Sequence, residues 1–382
     1  MNNFTFSSPS QIFFGKGQIE AISHAIPKEK KVLVIYGGGS IKQNGVYEQV
    51  SRALDSFQWG EFSGIEPNPQ YDTLMQAVTV IREQGYDYLL AVGGGSVIDG
   101  TKFIAAAVHF TDEPWNLLSK KAPFHDPLPL GCVLTLPATG SETNGGAVIS
   151  RGNDKLSFGS PSLKPQLAIL DPTTTFSLSA KQTANGVVDA FVHVMEQYLT
   201  YPVDAKVQDR FAEGLLHTLI EEGPKALADP ENYDVRANIM WAATQALSGI
   251  IGVGVPQDWT SHHIGHELTA HFGIDHGRTL SIVLPGVMQE CRTEKSAKIL
   301  QYGERIFGLT QGTEQERIDS AITHTIAFFQ QMGMPTSLAE EGLDHHAIDI
   351  VLQGMQKHGM TTEGEHQTVT LSRSRAILEF VL

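Results

Sequence analysis

Twice within its first hundred residues the chain runs an apolar stretch into the same four residues, Gly-Gly-Gly-Ser. Lys31-Val-Leu-Val-Ile-Tyr36 leads into positions 37–40, and Tyr86-Asp-Tyr-Leu-Leu-Ala-Val92 leads into positions 93–96. An unbroken apolar run closed by glycines and followed by residues at helical spacing reads as buried strand, tight loop and helix. The helices are expected to reach about residue 54 in the first unit and to cover 97–107 in the second. Between them lies a further unit, with a short strand near 61–63, the turn Glu66-Pro-Asn-Pro69, and a helix over 72–84 that places Leu74, Val78 and Ile81 on one face. Repeated β-α units predict a parallel sheet covered by helices on both faces, with ligands at the carboxyl ends of its strands. Further strands are expected at 131–135, 147–150 and 166–170.

From about residue 179 the strand pattern stops. Ser179 reads as a helix N-cap, and long helical segments follow at 207–220, 234–247 and 297–307. The expectation is therefore an α/β domain with a Rossmann-like parallel sheet over 1–178 and an all-α domain over 179–382. A length of 382 residues agrees with two domains, at roughly 150 residues each.

Charge and cysteine content remove several function classes. With 27 Lys+Arg against 42 Asp+Glu the net charge is −15, which argues against nucleic acid or an anionic membrane as partner. A bound phosphate would have to be held locally. Cys132 and Cys291 have no disulfide or metal-ligand spacing and read as thiols in a reducing compartment. The first residues lack the features of a signal peptide, and no apolar run approaches the roughly 18 residues that span a bilayer. A soluble, cytoplasmic protein is expected.

Glycine amides at a helix N-terminus can hold an anion without basic side chains. Residues 93–96 fit that use, although a glycine turn after a strand can also be only a turn. Neither Gly-x-Gly-x-x-Gly nor the Walker pattern occurs. Thr135-Leu-Pro-Ala-Thr-Gly-Ser-Glu142 adds hydroxyls at a strand end that could reach phosphate or ribose, or could bond local backbone.

Residues 255–277 hold five of the 15 histidines. Among them His262, His266 and His276 follow the order His-x3-His-x9-His, while Asp189 and His193 lie four apart, on one helical face. Together they make five candidates for a site that needs four ligands or fewer. One carboxylate with imidazoles and no thiolate suits Fe(II), Zn(II), Mn(II) or Co(II). Asp189 with His193 also reads as an ordinary i,i+4 polar pair, and His263 and His271 read as structural. The zinc-protease motif His-Glu-x-x-His is excluded, because three residues separate Glu267 from His271.

Taken in chain order, Gly93-Gly-Gly-Ser-Val-Ile-Asp99, Asp189-x3-His193 and His262-x3-His266-x9-His276 resemble the iron-containing (group III) alcohol dehydrogenases nearly end to end. Glu66-Pro-Asn-Pro69, Leu136-Pro-Ala-Thr-Gly-Ser-Glu142 and Val255-Pro-Gln-Asp-Trp259 look closest to the butanol-dehydrogenase-like branch, which includes NADPH-dependent aldehyde reductases of broad specificity. The resemblance implies a dinucleotide-binding α/β domain, an all-helical metal-binding and catalytic domain, and a homodimer. It implies Asp189, His193, His262 and His276 as ligands of one divalent metal ion, Fe(II) or Zn(II), with His266 as the catalytic group in the proton path. Gly94, Gly95, Ser96 and Asp99 would line the dinucleotide, with Asn68, Thr135, Thr139, Ser141, Lys155 and Leu178 around it.

NAD-using members of the family tend to carry Asp after the first strand, where this chain has Gly38. Amides at Gly38 and Gly39, the Ser40 hydroxyl and the Lys42 cation, with no carboxylate in the loop, imply NADP(H) as cofactor. The expected substrates are unbranched aliphatic aldehydes and alcohols, approaching past Ile251, Val253, Val255 and Phe191. Two rival readings are a polyol or sugar-acid phosphate dehydrogenase or lyase of the same fold superfamily, and a non-catalytic nucleotide sensor. The first would want basic residues near the histidines, where only Arg278 stands; the second should have lost metal ligands, and none is missing.

Overall fold

Six strands pair in parallel in the computed structural model, which describes residues 1–382. They are β1 (Gln11–Phe14), β2 (Lys31–Tyr36), β3 (Gln58–Phe62), β4 (Tyr88–Gly94), β5 (Leu130–Leu136) and, beyond the antiparallel hairpin β6 (Gly146–Arg151) and β7 (Asp154–Gly159), β8 (Leu167–Leu170). Their spatial order is β1-β8-β5-β4-β2-β3.

The apolar runs are continuous because both faces of this sheet are buried. Along β2, Val32, Val34 and Tyr36 point into one core, and Leu33 and Ile35 into the other. Along β4, Tyr88, Leu90 and Val92 alternate with Leu89 and Ala91 in the same way. Helices α1 (Ile22–Ala25) and α2 (Val46–Ala53) cover the first face, while α3 (Tyr71–Gln84), α4 (Gly95–Ala107) and α5 (Asn116–Ser119) cover the second. Each fully buried Leu, Ile or Val adds about 1.5–3 kcal/mol relative to exposure. A polar residue on either face of β2 or β4 would forfeit that.

The chain leaves β2 for the edge strand β3, then crosses back to β4 on the other side of β2. The order reverses at that point, so the carboxyl ends of β2 and β4 flank a crevice where an open α/β sheet binds ligands. Residues 37–40 follow β2, and residues 93–96 span the end of β4 and the start of α4.

Two details differ from the sequence expectation. Gly93 and Gly94 are strand rather than loop, and α4 begins at Gly95 without an intervening turn. After β2, by contrast, a 3-10 turn over Ser40–Lys42 separates the glycines from α2. Four strands were not anticipated: β1 is a four-residue edge, β7 pairs only with β6 outside the main sheet, and two two-residue strands, Thr362–Glu363 and Val369–Thr370, pair in the part expected to be all helical.

The chain forms two compact units. One comprises Ser7–Leu178 and Glu231–Met240; the other comprises Met1–Phe6, Ser179–Pro230 and Trp241–Leu382. The short exchanged pieces have local causes. Asn2 donates to Gly254 O at 2.9 Å within the helical unit, and Met240 belongs to the same apolar core as Leu33 and Ile35. The helical unit contains α6 (Ala180–Tyr198), α7 (Lys206–Ala228), the end of α8 (Tyr233–Ala246), α9 (Thr260–Phe272), α10 (His276–Glu290), α11 (Ser296–Phe307), α12 (Glu314–Gln331), α13 (His345–Lys357) and α14 (Leu371–Phe380). A two-stranded pair, β9 (Thr362–Glu363) with β10 (Val369–Thr370), is its only β structure. Ile264, Leu268, Ile282, Val287, Val351 and Ile377 share its main apolar cluster. Both cysteines are buried free thiols, and no helix is long and apolar enough to cross a membrane.

Gly93 is held by space, since a Cβ there would lie 2.5 Å from Val97 Cγ2. Gly93→Ala should therefore cost about 1–3 kcal/mol in urea unfolding. Adding Val97→Ala should give a double variant less destabilised than the sum of the single changes. Strictly additive costs would show that this contact is not the reason for the glycine.

Candidate metal centre and cofactor site

Helix α6 begins with a complete capping box, in which the Ser179 side chain accepts from Gln182 N and Gln182 reaches back to Ser179 N. Its buried face carries Asp189, His193, Glu196 and Gln197 at helical spacing. Gln197 donates to His193 O at 2.7 Å and to Ala246 O at 2.8 Å, which locks that turn. Helix α9 starts where Asp258 Oδ1 accepts from Thr260 N (2.9 Å) and Thr260 Oγ1 (2.5 Å). Lys295 Nζ, itself buried, then ties Asp258 Oδ2 (2.9 Å) to Glu365 Oε2 (2.6 Å). His276 is the first residue of α10, and the preceding Asp275 bonds Asn185 Nδ2 (3.0 Å) and Lys181 Nζ (2.8 Å) of α6. Asp275 thus ties the start of α10 to α6, and Asp258 N, which donates to Glu196 O at 2.9 Å, ties the start of α9 to it.

Asp189, His262 and His276 each turn a ligand-type atom toward the others, all within 4.8 Å. His193 joins them, with Nε2 3.0 Å from His262 Nε2 and Nδ1 3.3 Å from Asp189 Oδ1. Asp189 Oδ1 is 3.8 Å from His262 Nε2 and 3.9 Å from His276 Nε2. Around a tetrahedral ion with bonds of about 2.1 Å, neighbouring ligand atoms lie about 3.4 Å apart. Asp189, His262 and His276 fit a divalent metal on spacing as well as on donor type, and His193 stands beside Asp189 and His262 with a further imidazole nitrogen. Absence of thiolate leaves iron and zinc equally suited.

Electrostatics point the same way. Burial pushes His193 down to about 4, partly offset by Asp189. At His262 burial acts in the same sense but is outweighed by Glu196 and Asp189, which raise it to about 9. Two facing imidazoles beside two buried carboxylates make a pocket that favours a cation at its centre.

The other histidines separate cleanly. His266 stands one turn along α9 from His262, with its ring centroid 5.1 Å from that of His276 and 6.1 Å from that of His262. It is beside the cluster and outside the convergent set. His263 Nδ1 contacts Glu363 Oε2 at 2.6 Å, and His271 Nε2 lies 3.4 Å from Glu267. Trp259 closes over the centre, with its ring 5.4 Å from His262 and 6.2 Å from His193.

One expected neighbour is elsewhere. Phe191 is fully buried and packs against Phe328 and Phe329 at 5.1 and 5.6 Å, so it belongs to the helical core and not to a substrate approach. It lies two residues from Asp189 on α6, which is enough to turn a side chain to the opposite face. Ile251 is also buried, while Val253 and Val255 are half-buried.

In the α/β unit the expected cofactor residues gather at the carboxyl ends of the sheet. Gly38 and Gly39 follow β2, Gly94, Gly95 and Ser96 span the β4–α4 junction, and Thr135 ends β5. Thr139 packs against Gly95, and its Oγ1 accepts from Ser141 N at 3.3 Å. Ser96 Oγ accepts from Asn68 N at 3.4 Å, and Asn68 Oδ1 accepts from Lys155 Nζ at 2.7 Å. Leu178 is half-buried at the end of the unit.

Asp99 is already engaged within the protein. Its Oδ1 accepts from Ser141 Oγ at 2.5 Å and its Oδ2 from Val148 N at 2.9 Å. Lys102, which carries no signal in the motifs above, is the buried partner of this group, with Nζ bonds to Ser141 Oγ (2.7 Å), Gly146 O (2.7 Å) and Asn144 Oδ1 (3.2 Å). Burial pulls its amine down to about 8. The one hint in the sequence is its i,i+3 spacing from Asp99.

The first loop also needs a correction. No carboxylate lies in it, but Glu61 on β3 reaches it, and Lys42 Nζ pairs with Glu61 Oε1 at 3.0 Å. Sequence distance conceals the pair, which parallel pairing of β2 with β3 creates.

If the convergent set is the metal site, Asp189→Ala, His193→Ala, His262→Ala and His276→Ala should each lower bound metal per chain while the circular dichroism spectrum is kept. His271→Ala should retain it. Metal analysis of the purified variants decides the matter, and full occupancy in the Asp189 and His262 variants would exclude this assignment.

Comparison with known proteins gives a consistent picture. The family model for iron-containing alcohol dehydrogenases matches residues 9–172, and that for the C-terminal part of the Fe-containing alcohol dehydrogenase family matches residues 183–377. The chain is 57% identical over 384 residues to the NADPH-dependent aldehyde reductase YqhD of Escherichia coli (strain K12), covering 99% of both. A crystal structure of E. coli K-12 YqhD superposes with a TM-score of 0.99 at 56% identity, covering 100% of this chain and 99% of that one. The NADH-dependent butanol dehydrogenase A of Thermotoga maritima superposes with a TM-score of 0.96 at 34% identity, covering 100% of this chain and 99% of that one. This chain belongs to the iron-containing alcohol dehydrogenase family.

Proposed function

We propose that the chain is a metal-dependent aldehyde reductase that converts an aldehyde, NADPH and a proton into the primary alcohol and NADP⁺. The observation that carries this reading is the convergence of Asp189, His262 and His276, with His193 beside them, in a chain of this family. In it, the α/β unit binds the dinucleotide and the helical unit holds the metal. When bound, the divalent metal, Fe(II) or Zn(II), would act as a Lewis acid on the carbonyl oxygen, and NADPH would supply the hydride.

The chain's own residues do the rest. Amides of Gly95 and Ser96 at the start of α4 provide an anion site for the pyrophosphate. The Asp99–Ser141–Lys102 group holds the segment after β5 against α4. Trp259 limits water at the imidazoles. His266, beside His276, is placed to deliver the proton that the product oxygen takes up.

Substrate class follows from charge. Arg278 is the one cation in sequence near the histidines, and Glu341 holds it at 2.6 and 2.7 Å. An anionic substrate would have to compete for it, so uncharged aliphatic aldehydes of short to medium length are the better fit. A panel with butanal and a phosphorylated aldehyde tests this. A much higher kcat/KM for the phosphorylated compound would restore the sugar-phosphate reading. The family resemblance further supports a cytoplasmic homodimer, which sedimentation velocity can test.

Cofactor choice turns on the first loop, since one of the relatives above is described as NADPH-dependent and another as NADH-dependent. A Cβ added at Gly38 would meet no atom within 4 Å, and the residue has no left-handed φ, so an Asp there fits without disturbing the turn. The unmodified chain should prefer NADPH by at least about tenfold in kcat/KM, roughly 1.4 kcal/mol. Gly38→Asp should erase that preference by repulsion of the 2′-phosphate. Equal use of both cofactors, or an Asp variant that still prefers NADPH, would show that this loop does not read the phosphate.

His266→Ala should keep metal content while lowering kcat and changing its pH profile. Loss of metal equal to that of His262→Ala would instead place His266 among the ligands.

A further inference from the structure

Glu196 stands two turns beyond Asp189 on the same face of α6, nearly fully buried. Both of its carboxylate oxygens go to one residue. Oε1 accepts from the backbone N–H of His262 at 3.1 Å, and Oε2 is in close contact with His262 Nδ1. The Glu196 carbonyl also accepts from Asp258 N at 2.9 Å, so α6 grips the start of α9 through main chain and side chain together.

The chemistry of that contact is specific. A carboxylate is only an acceptor, so it selects the imidazole form with its proton on Nδ1 and leaves the Nε2 lone pair free. Nε2 is the atom that faces His193 and Asp189. Holding Nδ1 also stops the ring from turning about its Cβ–Cγ bond. Glu196 sits on the Nδ1 side of the ring, with the convergent atoms on the other, so it is not itself placed as a ligand.

We propose that Glu196 is a positioning residue for the metal centre: it fixes the orientation and tautomer of His262 so that Nε2 is presented to the ion. The inference rests on the metal reading of Asp189, His193, His262 and His276. General experience with carboxylate–histidine–metal arrangements is that loss of the outer carboxylate weakens metal binding about 10–100-fold.

Glu196→Gln tests this with little change in volume. One amide oxygen can accept from either the His262 N–H or Nδ1–H, while the amide nitrogen brings donors to the other. Metal-free protein is titrated with Co(II), and both the dissociation constant and the visible ligand-field spectrum are recorded for the unmodified chain, Glu196→Gln and His262→Ala. Urea unfolding with chelator present reports on stability separately. The expected result is a Kd raised about 10–100-fold in Glu196→Gln, with an altered cobalt spectrum. A purely structural role would lower stability in urea and leave Kd and spectrum unchanged, and that result overturns the proposal. If His262→Ala also binds Co(II) as the unmodified chain does, the metal assignment itself fails and takes this role with it. If His262→Ala loses the metal while Glu196→Gln keeps it, only the role of Glu196 fails.

Discussion

A carboxylate buried among imidazoles is the arrangement on which the helical unit depends. Asp189 is almost inaccessible, and the groups around it are His193, His262 and His276. Desolvating an ionised carboxylate costs several kcal/mol unless positive charge or a metal compensates it. The three helices that supply these side chains are therefore fixed at their starts by polar contacts that leave little play. Asp258 and Lys295 do this for α9, and Asp275 with Asn185 and Lys181 for α10. The apolar cluster of Ile264, Leu268, Ile282 and Ile377 supplies the bulk stability behind them. It cannot by itself set an imidazole to within a fraction of an ångström.

In the proposed function the α/β unit meets the opposite problem, because a chain with a net charge of −15 would have to accept an anionic dinucleotide. What the unit offers at its strand ends is backbone dipoles more than free cations. The order of strands reverses between β2 and β4, which opens the sheet at the ends of both, and glycines there leave amides accessible at the start of α4. Cations near these loops are mostly committed within the protein: Lys42 to Glu61, Lys155 to Asn68, and Lys102 to the Ser141 group. Lys42 is paired with a carboxylate, and Lys102 and Lys155 are buried.

Much of this is legible in the order of residues. The two glycine-closed runs announce β2 and β4, and Lys31–Tyr36 matches its strand at both ends, since a strand buried on both faces has no polar residue inside it. Ser179 as an N-cap is equally plain, because Gln182 completes the capping box within four residues. Failures come where one residue type serves two ends. Gly93 and Gly94 read as a loop, yet they continue β4, and at Gly93 the reason is that Val97 leaves no room for a side chain. Phe191 reads as a neighbour of the substrate, whereas the helix turns it into the core.

The sequence alone determined which chemistry is available. One Asp and four His candidates at fixed spacings admit a borderline transition metal and exclude a thiolate site or the zinc-protease motif, because ligand type and helical phase are local properties. Only the tertiary structure decided which groups work together. His193 and His262 are 69 residues apart, Glu196 and His262 are 66 apart, and Lys42 meets Glu61 across two strands. No local rule brings such pairs together; packing of both α6 and α9 against α10 and parallel pairing of β2 with β3 do, because burying apolar faces fixes the positions of the polar atoms that ride on the same elements.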